Sequence, residues 1–218
     1  MIGDRVIPGP HHTRAAEQIV KLLEAPSHGE RPVLTIAGES GSGKSGIASE
    51  LARLLSDRDY SVFIFAQDDY FLYPPRTNDG MRRKNIDHVG TTEVNLALLD
   101  SHLEHFKNSD EPLEKPLVVF DDDLITRETI QPAQYNIGIA EGTYTSTLEK
   151  ATTRVFIDRS FQDTHEDRLA RKRDKIDAFS EQVLEIEHKI ISEHRVLADI
   201  IVNKDFSITQ TDLGKDRT

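Results

Sequence analysis

Val33-Leu34-Thr35-Ile36-Ala37-Gly38-Glu39-Ser40-Gly41-Ser42-Gly43-Lys44-Ser45 is the stretch on which the reading of this chain turns. The five residues from Val33 are a short apolar run behind Pro32, the pattern of a buried strand. Gly38 to Ser45 then match G-x-x-x-x-G-K-[ST] in full, and after Lys44 the positions Ile47, Leu51, Leu54 and Leu55 restore a helical period. Strand, glycine-rich loop and helix follow in the order that a phosphate-binding loop requires. Gly38, Glu39, Ser40, Gly41, Ser42, Gly43, Lys44 and Ser45 are therefore expected to hold a nucleotide, with no role assigned to position 46. The glycines let successive N–H groups turn inward, and the helix start adds partial positive charge. Lys44 reaches the β- and γ-phosphates, and the Ser45 hydroxyl binds Mg²⁺. ATP and Mg²⁺ are the expected cofactors; the loop alone does not separate a kinase from an ATPase, a switch or a motor.

Working outward, helical spacing predicts a helix over Thr13 to Glu24 before the first strand, and further helices on the stripes Leu96, Leu99, Leu103, Phe106 and Ile176, Phe179, Val183, Ile186, Ile190. Strands are expected at Ser61 to Ala66, Leu117 to Phe120, Tyr135 to Ala140, Arg154 to Ile157 and, last before a polar tail, Ile200 to Val202. Tyr73 to Gly90 contains Pro74 and Pro75, shows no period, and reads as a long loop. Alternation of strands and helices predicts an α/β fold: a P-loop NTPase-type parallel sheet with helices on both faces and a helical lid. One domain over 1–218 is expected, with an N-terminal extension at 1–30, the phosphate-binding unit at 33–56 and the lid at 161–175.

Composition excludes other classes. A formal net charge of −11 repels nucleic acid, and no apolar run approaches the length of a membrane span. Absence of cysteine excludes disulfides and thiolate metal sites. The N-terminus lacks a secretory layout, so a cytoplasmic location is the expectation. The partner is then a small-molecule hydroxyl acceptor, with neither nucleic acid nor membrane, and a homo-oligomer is left open.

In parallel sheets the ligand crevice lies beyond the carboxyl ends of the strands. Asp68 and Asp69 follow a predicted strand there, and Asp68 is the candidate base for an attacking hydroxyl and a member of the Mg²⁺ surroundings. Glu141, after another strand, is assigned to the same ion through water. Asp121, first of an acidic triplet, is a substrate-side candidate; a solvated turn is the alternative. Arg168 and Arg171 share a helix face within a basic run and would clamp transferring phosphate oxygens. Asn203-Lys204-Asp205 has the wrong spacing for a guanine-reading motif.

Four stretches together resemble the uridine kinase and phosphoribulokinase-like branch of P-loop kinases, which includes bacterial-type pantothenate kinases. They are Gly38 to Ser45, Gln67-Asp68-Asp69-Tyr70, Asn85-Ile86-Asp87-His88, and Glu141-Gly142 with Phe156-Ile157-Asp158 and Arg168-Leu169-Ala170-Arg171. The resemblance implies Asp68 as catalytic aspartate, Ser45 and Glu141 around Mg²⁺, and Arg168 and Arg171, with Lys44, on the transferring phosphate. It further implies that Asp87, beside His88, holds ribose hydroxyls. Tyr70 is a substrate wall or a core residue. The implied activity is transfer of the γ-phosphate to a nucleoside hydroxyl, with pantothenate, a sugar or a sugar phosphate as other acceptors; a nucleotide-dependent switch with no acceptor is the reading from a different class. Val89 stands where the family usually has proline, and the lid is short after Arg171.

Overall fold

The computed structural model describes all residues except 4, 5, 28, 172–176 and 216–218. In chain order the elements are α1 (Pro10–Leu22), β1 (Val33–Gly38), α2 (Lys44–Ser56), β2 (Val62–Ala66), α3 (Pro75–Lys84), α4 (Leu96–Asn108), β3 (Leu113–Val119), β4 (Leu124–Ile130), β5 (Ile137–Gly142), β6 (Thr153–Ile157), α5 (His165–Arg171), α6 (Ala178–Ile191), β7 (Ile200–Val202), β8 (Ile208–Gln210) and α7 (Asp212–Lys215). The main sheet runs β2-β5-β1-β6-β7-β8. Its first five strands are parallel and β8 is antiparallel to β7. Strands β3 and β4 form a separate hairpin.

Both faces of the main sheet are covered, which explains why β1 reads as an unbroken apolar run. Successive side chains of a strand point to opposite faces. Leu34 and Ile36 accordingly pack with Ala16, Ile19, Ile47 and Leu51 of α1 and α2, while Val33 and Ala37 pack with Leu99, Leu103 and Phe106 of α4 and Ile191 of α6. Each fully buried aliphatic side chain contributes about 1.5–3 kcal/mol. Helix starts are set by side chains: Asn95 Oδ1 accepts from Leu98 N–H at 3.0 Å, and Asp177 with Ser180 closes a reciprocal box at the start of α6.

Several expectations are corrected. Tyr73 to Gly90 is not a loop throughout, because Pro75 opens α3, where a fixed φ and a missing N–H cost nothing at a first helical turn. The segment after Asp123 returns as β4, and Ile200–Val202 is followed by β8 rather than by a polar tail. Glu141 lies inside β5, paired beside Ile36 and Ala66, not after it. Position 46, left without a role in nucleotide binding, is Gly46. It is buried in the first turn of α2, where a Cβ would meet the His12 ring at 2.9 Å, so α1 leaves no room for a branched side chain there. Residues 172–175 of the expected lid lie outside the described residues, as does the side chain of Arg171.

Candidate active site

The phosphate loop sits where β1 hands over to α2. Gly41 and Gly43 have φ of +77° and +107°, the left-handed region that glycine enters without cost. A Cβ at Gly43 would meet His12 Nε2 at 2.7 Å, and one at Gly41 would meet Arg168 Cγ at 2.8 Å. The loop is thus walled by α1 on one side and α5 on the other. Lys44 Nζ crosses the loop to donate to the Glu39 carbonyl at 2.8 Å.

Strand register brings the acidic candidates to the loop. Ala66 of β2 and Ile36 of β1 both pair with Glu141, so the turn at Gln67–Tyr70 that carries Asp68 leaves the same sheet edge. Ser45 Oγ donates to Glu141 Oε2 at 3.2 Å. A hydroxyl and a carboxylate side by side are the oxygen donors that suit Mg²⁺, which takes one or two protein ligands and completes its shell with phosphate and water. The residues present therefore fit the ion. Arg168 Nη1 donates to the Phe161 carbonyl and to Thr164 Oγ1 at 2.5 and 2.8 Å, and Thr164 Oγ1 in turn donates to the Ser40 carbonyl at 3.0 Å. The start of α5 is fastened to the phosphate loop by these bonds.

Other candidates lie elsewhere. Asp69 is buried, accepting from Lys115 Nζ at 3.0 Å and Val118 N–H at 2.9 Å, so it ties the β3–β4 hairpin to the end of β2. Tyr70 is in the core, not on a substrate wall. Its ring is 1% exposed, its hydroxyl lies 3.0 Å from His102 Nδ1, and burial pushes its acidity far down. Asp121 sits on the exposed turn between β3 and β4 with its main-chain carbonyl on Arg76, while Asp123 on that turn caps the first N–H groups of α3. Asp87 is exposed in the turn after α3, and the neighbouring His88 donates from Nε2 to Asn78 Oδ1 at 3.1 Å.

Three participants escaped the sequence reading, and a fourth was taken for another role. Glu39, taken above for its place in the loop, uses a buried carboxylate to reach Phe161 N–H at 2.6 Å and His188 Nδ1 at 2.7 Å, linking loop, lid base and α6. Arg82, Glu93 and Glu187 form a buried ionic cluster across α3, the turn before α4, and α6. Burial raises the Glu187 carboxyl, with the Arg82 charge opposing it and Lys44 acting in the same direction as Arg82. Only the acidic and basic side chains in a polar stretch signalled them, and that signal is shared by any solvated surface.

A sequence profile of the Phosphoribulokinase / Uridine kinase family matches residues 33–175. This chain belongs to that family. A uridine kinase from Lactobacillus helveticus is 32% identical over 117 residues, covering 52% of this chain and 53% of that protein. A bifunctional alpha-galactosidase/sucrose kinase from Mediterraneibacter gnavus is 26% identical over 209 residues, 89% of this chain but 22% of that protein. The chain thus spans about half the length of the uridine kinase and under a quarter of the bifunctional enzyme. The structure of phosphoribulokinase from Rhodobacter spheroides shares the fold, with a TM-score of 0.60, 12% identity, and coverage of 80% of this chain and 70% of that one. Family members are phosphotransferases acting on hydroxyls, and family membership implies ATP as donor. Among the described residues no helix is long and apolar enough to cross a membrane.

Proposed function

We propose that this chain transfers the γ-phosphate of ATP to a hydroxyl of a small sugar or of a nucleoside's sugar, using Mg²⁺. The observation that carries the reading is the meeting of Lys44, the Ser45–Glu141 pair and the Asp68 turn at one edge of the sheet. The loop amides and Lys44 hold the β- and γ-phosphates, and Ser45 and Glu141 would hold the metal. When bound, Mg²⁺ neutralises charge on the β- and γ-oxygens. Asp68 orients the acceptor hydroxyl and takes its proton as the new P–O bond forms and the bond to the β-phosphate breaks, releasing ADP. Arg168, already lying against Gly41, supplies charge to the transferring oxygens, and Arg171 joins it. Asp87 and His88 contribute to the acceptor side.

Support for a sugar acceptor comes from the relatives: the similarity that runs through most of this chain is to a sucrose kinase fusion, and the one confined to half is to uridine kinases. A coupled ADP-release assay with D-fructose, sucrose, uridine and pantothenate tests it. Acceptor-dependent release is expected, reduced by roughly a hundredfold or more in Asp68→Asn with ATP affinity retained. Slow hydrolysis indifferent to every acceptor, or full turnover in the variant, would contradict the assignment.

A further inference from the structure

Glu39 is the one acidic residue of the phosphate loop. Its main chain serves the loop, the carbonyl accepting from Lys44 Nζ at 2.8 Å, while its buried carboxylate is engaged elsewhere. Oε2 accepts from the Phe161 N–H at 2.6 Å, and Oε1 lies 2.7 Å from His188 Nδ1. A carboxylate buried beside a site for a triphosphate loses its hydration and repels the ligand, so its bonds to Phe161 and His188 must offset both costs.

Both partners lead to the proposed phosphate clamp. Phe161 stands between β6 and α5; its N–H is on Glu39, and its carbonyl accepts from Arg168 Nη1 at 2.5 Å. One residue thus joins the loop's carboxylate to the guanidinium. His188 is in the last turn of α6, and its ring meets the Phe161 ring with centroids 5.6 Å apart at 63°. Glu187, the residue before it, accepts from Arg82 of α3 at 3.0 Å, so neighbouring residues of α6 fix it to α3 and to the phosphate loop. Thr164 gives Arg168 a second link, accepting from Nη1 at 2.8 Å and donating to the Ser40 carbonyl at 3.0 Å. Loss of the Glu39 link therefore displaces Arg168 rather than releasing it.

Building on the kinase reading above, we infer that Glu39 is a positioning residue: its carboxylate, braced by His188, holds Phe161, and through it the Arg168 guanidinium, at the edge of the phosphate loop. Arg168 lies there against Gly41, where charge would develop on the transferring phosphoryl group. Ground-state ATP binding rests on the loop amides and Lys44, and removing a negative charge beside them does not weaken it. The carboxylate acts on turnover, and it does so through Arg168.

Turnover is followed by ADP release with whichever of D-fructose, sucrose and uridine the wild type uses best, together with ATP affinity by titration calorimetry and a thermal melt. Glu39→Ala should lower kcat by roughly thirtyfold, within the reach of a misplacement of about 1 Å, and leave the ATP Kd unchanged or tighter. His188→Ala, which removes one of the two bonds, should lower kcat by about fivefold. Glu39→Gln, whose amide oxygen still accepts from the Phe161 N–H, and His188→Asn, whose amide nitrogen can donate near the place of Nδ1, should each recover most of the loss. With Arg168 already replaced by alanine, adding Glu39→Ala or His188→Ala should cost less than about twofold more, because the effect has lost its carrier. An equal loss in both backgrounds, an unchanged kcat in a folded Glu39→Ala, or an ATP Kd weakened by as much as kcat falls, overturns the inference and leaves the kinase standing. Absence of acceptor-dependent ADP release by the wild type overturns both. Should Glu39→Ala lose its cooperative melt, His188→Ala decides in the same two backgrounds, since a side chain 41% exposed can be truncated without opening a cavity.

Discussion

The proposed phosphate site is eight consecutive residues, Gly38 to Ser45, whereas the buried ionic cluster joins Arg82 to Glu187 across 105 positions of chain. The first is mostly backbone: positive-φ glycines, a helix start and one lysine. The second is all side chain, buried, and dependent on α3, α6 and the turn before α4 docking together. A site made from local backbone tolerates change around it, because its geometry comes from φ and ψ. A site made from buried charges depends on every partner, since removing one leaves another unpaired. Damage to the loop should therefore show in nucleotide binding, and damage to the ionic cluster in stability.

The largest separation is expected at Lys44. Replacing it by alanine removes the charge proposed to hold the phosphates without disturbing a core contact, so ATP affinity should fall on the order of a thousandfold with the melting temperature nearly unchanged. Titration calorimetry with ATP alongside a thermal melt reads both quantities. A variant that unfolds instead would mean that the Lys44 to Glu39 carbonyl bond supports the fold.

Glu93→Ala tests the other end. It strips Arg82, Asn78 and the Gly90 N–H of their common acceptor inside the protein. The expected loss is roughly 3 kcal/mol, a fall in melting temperature on the order of 10 °C. ATP affinity of the folded fraction should change far less than in Lys44→Ala. A Glu93→Ala protein as stable as wild type would show that the cluster is relaxed and solvated, and would remove the contrast between the two ends.

The same contrast governs what could be read from sequence. The phosphate loop was legible because its residues are adjacent and each answers to a backbone requirement. The buried strands were legible because coverage on both faces makes them continuous apolar runs. Helix α3 was not, because Pro75-Arg-Thr-Asn-Asp-Gly-Met-Arg-Arg-Lys84 has no apolar stripe; it is held by Asn78 and Arg82 on Glu93 rather than by hydrophobic packing. Hydrophobic periodicity cannot see a helix that docks through polar groups. Strand β4 hid for a related reason, its exposed edge carrying Thr126, Arg127 and Glu128.

The smallest effect returns to the phosphate side, where the lid base meets the turn after β7. Asp163 accepts from Lys204 Nζ at 3.0 Å and from the Ser160 N–H and hydroxyl at 2.9 and 2.8 Å. The Lys204 bond first, then the Ser160 groups, hold its carboxyl down at about 2, below the ordinary 3.8. Because the folded value is the lower one, the unfolded chain binds the proton first as the solution is acidified. The stabilisation is thus complete above about pH 4 and is lost as pH falls through about 2. Lys204 is 65% exposed, so water and salt screen the pair and its contribution is small. Asp163→Asn should flatten the acid limb of the stability curve between those two values and leave the neutral limb almost untouched, and added salt should shrink the difference between variant and wild type. An Asp163 carboxyl that titrates near 3.8 by NMR would mean that the lid base is not fastened to the β7–β8 turn in solution. The bonds of Thr164 and Arg168 would then be left to hold it against the phosphate loop.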